Sequence, residues 1–218
     1  KIVKSILRYR WIIISVVVLF TAFCGYQITK MQINSDVISS LPDDDPDAAL
    51  LKRIADHFGS NKMGMVILEN EDVFQTKVLE DVKRVSDTIR QIDGVMSVTS
   101  LTSIIDINEF GIGTLVDPYD MPDTEEELQY LRERVFAKEM YKGSIVSEDG
   151  TATLIIFSLT EEADVEKVAK TVINKTQAME LPETIYYAGS PMMVTAISDL
   201  ISSDLFVLLP LAFLVIAI

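Results

Sequence analysis

From Trp11 to Thr29 the chain runs nineteen residues without a charge. As an α-helix that stretch measures about 28 Å, close to the ~30 Å hydrocarbon core of a bilayer. Lys1, Lys4, Arg8 and Arg10 precede it, Lys30 follows it, and no acid occurs before Asp36. Short flanks rich in Lys and Arg stay on the cytoplasmic side. A cleaved signal peptide is the competing reading. The apolar stretch is long for one, no A-x-A site follows, and bulky Phe23 before Cys24 makes a poor lipoprotein box. Residues 1–30 are therefore expected to form a basic cytoplasmic flank and a first transmembrane helix.

The rest of the chain has the opposite charge. Five of the 19 bases lie at or before Lys30, and all 33 acids lie after it. By the same charge rule, residues of about 31–204 belong outside the cytoplasm. The acidity argues against nucleic acid as a partner, because phosphates would be repelled. A second uncharged run, Leu205 to Ile218, is fourteen residues long, too short to span a bilayer by itself. The chain is expected to be a fragment whose second transmembrane helix is cut short. Cys24 is the single cysteine. It cannot form an internal disulfide, and packing is its expected role.

Between the two apolar runs the pattern is that of an α+β domain. Residues 31–60 read as a polar linker and a helix, capped by Asp45 with Pro46 in its first turn, and stopped by Gly59. Met63–Glu69 reads as a strand, and Thr76–Gln91 as an amphipathic helix with Val78, Val82, Val85, Ile89 and Ile92 on one face. Val95–Leu101 is a second strand. A long irregular connection, 102–123, follows. Thr124–Glu127 has capping-box spacing and opens a helix to about Lys138. Lys142–Val146 and Thr151–Leu159 read as a hairpin turning on Glu148-Asp149-Gly150. A helix from Asp164 to Met179 and a strand at Thr184–Ala188 complete the domain. Two βαβ units in series predict a ferredoxin-like (split βαβ) fold over 61–190, with the Thr124 helix inserted between its halves. Gly189, Ser190 and Pro191 then form a junction turn. Ser190 is placed to cap, and Pro191 to begin, a helix over 191–218 that nothing breaks before Pro210.

Few residues offer chemistry. Asp43, Asp45 and Asp47 alternate like a calcium loop, but Ala48 stands where the loop needs Gly and Ile54 where it needs Glu. A charged helix N-terminus explains them better. His57 is the single histidine and has no partners for zinc or for a nucleophile–base pair. Gly111-Ile112-Gly113 lacks the third glycine of a nucleotide loop. Asn174-Lys175-Thr176 matches a glycosylation sequon inside a predicted helix. No catalytic residue, metal ligand or cofactor is expected. Met192 and Met193 sit where the domain meets its exit helix. Packing of the domain base is the plainer role for them, and a substrate path the sharper one.

The order is a first membrane helix, Asp36 and Leu41-Pro42-Asp43-Asp44, a helix ending in Phe58-Gly59, the two βαβ units, and Gly189-Ser190-Pro191 before a second membrane helix. This layout resembles the N-terminal part of a resistance–nodulation–division (RND) transporter. It is most similar to the mycobacterial-membrane-protein-large, or hydrophobe-exporter, branch. The resemblance covers essentially the whole chain and rests on layout more than on a sharp motif. It implies a proton-driven exporter in the bacterial inner membrane, with an external porter domain that passes hydrophobic or amphiphilic molecules. The implied partners are membrane lipids, a lipid-like substrate and the remaining transmembrane region of the same protein; a homo-oligomer is compatible with it. No acid lies in either apolar run, so the proton relay is expected elsewhere. Two other functions fit two membrane helices around an external domain: a ligand-binding sensor, and an accessory subunit for protein translocation.

Overall fold

The computed structural model describes residues 62–108, 111–117 and 120–217, together with Ser15, Leu19, Thr21, Phe23, 45–47, Ala49, Leu50 and Arg53. The chain divides into two units, Lys1–Ser35 and Asp36–Ile218. In the first unit the four described residues are helical and exposed. The rest of the expected first membrane helix lies outside the described residues, as do Cys24, Leu41-Pro42, His57 and Phe58-Gly59. At the start of the second unit, Asp45 accepts a hydrogen bond from the Asp47 amide at 2.9 Å, and Pro46 is helical. The capping chemistry of that sequence is satisfied as expected.

The centre of the second unit is an antiparallel sheet of four strands: β1 (Met63–Glu69), β2 (Val95–Thr99), β5 (Ala152–Leu159) and β6 (Thr184–Gly189). Their order is β2-β5-β1-β6, with every neighbouring pair antiparallel. Each half of the domain therefore lends one central and one edge strand. Period-two alternation turns Val66 and Leu68 of β1, and Ile155, Phe157 and Leu159 of β5, into the core. Helix α1 (Thr76–Arg90) covers them with Val78, Val82, Val85 and Ile89, and helix α3 (Val165–Gln177) with Val168, Ala169 and Val172. Asp164 caps α3, its carboxylate accepting from the Lys167 amide at 3.0 Å. Removing these apolar side chains from water is the main stabilising term.

Helix α2 (Glu125–Phe136) lies between the halves. The expected capping box is complete: Thr124 Oγ1 accepts from the Glu127 amide, and the Glu127 carboxylate accepts from the Thr124 amide, each at 3.3 Å. Leu131 and Val135 are its buried face. Arg132 pairs with Asp72 and lies over the Phe74 ring, which also meets Phe136 at 5.8 Å.

Two parts of the sequence reading need correction. The connection after β2 is not wholly irregular: β3 (Ile105–Asn108) and β4 (Gly111–Thr114) form a two-stranded sheet. The expected hairpin before β5 has only one true arm. Lys142–Val146 does not extend as a strand, and Val146 meets Thr153 through an isolated bridge. Gly143, at φ +75°, lets the chain curl, so that the amides of Ile145 and Val146 both return to the Tyr141 carbonyl. The turn at Glu148-Asp149-Gly150 is as expected, with Gly150 at φ +78°.

Candidate functional site at the junction of sheet and helix

Gly189, the last residue of β6, pairs across the sheet with Gly64 of β1. Gly189 sits at φ +91°, and a Cβ there would run into the Met63 carbonyl oxygen. A Cβ on Gly64 would enter the Phe157 ring. The paired glycines let an edge strand and an aromatic ring approach β1 from two sides. A residue with a side chain fits neither place.

Helix α4 (Ser190–Ala217) starts directly from this contact and is continuous through Pro210. Gly189 ends β6, and Ser190 and Pro191 are the first two residues of α4. Thr195 Oγ1 donates to the Pro191 carbonyl at 2.9 Å. Met192, Thr195 and Ser198 recur every third residue and are buried, with the start of α4 packed on α3. Among the described residues the buried Ser198 hydroxyl has no hydrogen-bond partner. Met192 and Met193 part company: Met192 is 5% exposed and belongs to the core, whereas Met193 is 63% exposed. Adjacent residues on a helix point about 100° apart, so one side chain packs the domain base and the other leaves it.

One ion pair ties the helix to the domain. Lys170 of α3 donates to Glu166 Oε1 at 2.7 Å and to Asp199 Oδ1 at 2.9 Å. The hydrogen bond to Glu166, then the one to Asp199, raises the Lys170 pKa above its ordinary value. Beyond Asp204 the helix carries no further charge, and large apolar side chains stand exposed along α4. Leu200, Leu205, Phe206 and Leu211 are exposed, Phe206 at 82%. Ser190–Leu208, 19 residues of mean hydropathy 1.4, is long and apolar enough to cross a membrane.

A second polar centre lies under the β3–β4 hairpin. Asp106 is 2% exposed and receives Arg134 at 2.5 Å, the Tyr141 hydroxyl at 2.8 Å, and Lys138. Burial pushes its carboxyl up, but the bonds from Lys138, Arg134 and Tyr141 outweigh burial and hold it below the usual carboxylate range. Burial, then the bond to Asp106, pushes the Tyr141 hydroxyl up to about 12. This network fastens the hairpin to α2. Sequence reasoning missed it, because its members are about thirty residues apart and no spacing rule joins them. The Glu166–Lys170 half of the junction pair was readable as an i,i+4 pair. Among the described residues no group of three His, Cys, Asp or Glu could hold a metal ion. Asn174 lies within α3, and its sequon partner Thr176 is fully buried, bonded to the Val172 carbonyl and the Tyr187 hydroxyl.

No known family model matches the chain. It is similar to a protein of Methanocaldococcus jannaschii described as "Putative membrane protein MJ1562", with 24% identity over 150 residues. The match covers 63% of this chain and 37% of that relative, so the chain spans well under half of the relative's length.

Proposed function

We propose that this chain is the N-terminal part of a proton-driven RND-type exporter of hydrophobic or amphiphilic molecules, of the hydrophobe-exporter branch. The observation that carries the reading is helix α4, which leaves the sheet at Gly189 and continues without a break into apolar sequence. Such a helix acts as a rod. Tilting its membrane part moves the domain to which Met192, Thr195 and Ser198 fix it, and that movement opens or closes a path for substrate. The strand order β2-β5-β1-β6 supports reading the domain as the split βαβ, ferredoxin-like fold of a porter. The relative described as a membrane protein supports a membrane location. On this reading residues of about 31–204 lie outside the cytoplasmic membrane, and the membrane part of α4 begins near Leu205. Met193, exposed beside the junction, is the remaining path candidate, and Met192 is a core residue.

The test is accumulation of fluorescent lipids and lipophilic dyes in cells lacking the full-length protein, with and without a proton gradient. Raised accumulation that the restored gene reverses, and that loses its gradient dependence in the deletion, is expected. Unchanged accumulation across lipids and dyes would count against an exporter.

A further inference from the structure

Lys83, Ser86, Asp87 and Arg90 stand along one side of α1. With Thr102, Ser103 and Thr114, at the root of the β3–β4 hairpin, they line a cavity of about 350 Å³. Asp87 holds Lys83 through Oδ2 and Arg90 through Oδ1, each at 3.0 Å. The two cationic heads therefore flank one carboxylate, one at each of its oxygens. An ammonium has three N–H donors and a guanidinium five, and each spends one on Asp87. The triad keeps a net positive charge and several free donors.

The wall behind them carries hydroxyls held in place by hydrogen bonds. Ser86 and Thr102 are buried. Ser86 Oγ donates to the Val82 carbonyl at 2.7 Å, while Ser100 Oγ bonds Thr102 Oγ1 at 3.2 Å and Ser103 Oγ at 3.1 Å. In a chain of formal net charge −14, a free anion meets a repulsive field over most of the surface. The lining of this pocket holds two bases against one acid, so an anion meets a net positive charge there. Lys and Arg donors together with hydroxyls suit the tetrahedral oxygens of a phosphate.

We infer that this cavity binds a phosphate-type head group, with Lys83 and Arg90 supplying the charge-assisted bonds and Ser103 and Thr114 the hydroxyls. The volume sits at the small end of ligand pockets, enough for a phosphate ester with a glycerol-sized substituent and too small for acyl chains. The site stands whether or not the chain belongs to an exporter.

Calorimetric titration of the full protein in detergent tests it, with glycerol 3-phosphate and soluble dihexanoyl phosphatidic acid as probes. Saturable binding at low salt is expected. The K83M/R90M pair should weaken it about tenfold or more, and Arg90→Lys should keep most of it. Lys175→Met, which removes an exposed base from α3, should leave it unchanged. Tighter binding of the phosphatidic acid than of glycerol 3-phosphate would make a lipid the source of the head group, and equal binding a soluble ester. Non-saturable heats with both probes, or an equal loss in Lys175→Met, would overturn the site.

Discussion

Lys170 and Asp199 meet at 2.9 Å, and this ion pair joins the domain to the helix that leaves it. Both side chains are substantially solvent-exposed, so the pair contributes little to stability, a few tenths of a kcal/mol to about 1. Its expected role is to hold the angle of α4 on α3. The Lys170 pKa is raised by Glu166 and Asp199, so the stabilisation is complete below the ordinary lysine value of 10.5 and is lost as pH rises through the raised one. Thermal melts of wild type and Lys170→Met should differ slightly at pH 7 and converge once the pH passes the raised lysine value. A gap that persists at high pH would assign the effect to packing of the lysine stem.

Gly189→Ala should be far more damaging. The left-handed φ of +91° costs an L-residue about 1–2 kcal/mol, and the new methyl meets backbone, which cannot rotate away. A loss of at least about 2 kcal/mol in denaturant unfolding is expected. Gly64→Ala meets the Phe157 side chain instead, and should damage the core and leave the helix junction in place.

Asp106→Asn should release the β3–β4 hairpin. It leaves Arg134 and Lys138 facing a neutral group at a buried site. Because both bases are partly exposed and can rehydrate, the cost falls near the low end for broken buried pairs, about 3 kcal/mol. A depressed carboxyl contributes stability above its unfolded value of 3.8 and loses it only as pH falls through the lowered folded value. Amide exchange in 105–108 and 111–114 should therefore stay slow at pH 3.5 in wild type and become faster in the variant.

The sequon at Asn174 should stay unmodified when the protein passes through a eukaryotic secretory pathway. Thr176, which an acceptor site must present, is buried and doubly hydrogen-bonded inside α3. Digestion with an N-glycosidase should produce no mobility shift. A shift would mean that modification precedes folding of α3.

The helices and the strands of the four-stranded sheet were legible because their signals are local, whereas β3 and β4 were read as irregular chain. Val78, Val82, Val85 and Ile89 repeat at helical spacing, β5 is a largely apolar run directly after the Glu148-Asp149-Gly150 turn, and Thr124 with Glu127 forms a cap that needs no tertiary partner. What stayed hidden depends on distant partners. Asp106 interrupts a four-residue strand with a charge, and only Arg134, Lys138 and Tyr141 make that tolerable. The curl at Gly143 reads as the start of a strand until its amides find Tyr141. Met192 and Met193 are equivalent in sequence, and only the rotation of α4 against α3 separates a core residue from an exposed one. The pairing of Gly64 with Gly189 follows from sheet order, which local periodicity does not specify.

The continuity of α4 is best tested by hydrogen–deuterium exchange on the full-length protein in lipid nanodiscs, read over residues 190–210. Slow exchange without a gap from Met192 through Ser203 is the expected result, with no segment opening separately from the domain. Rapid exchange confined to 197–204 would reveal a hinge there, and would contradict a helix that carries membrane movement into the domain.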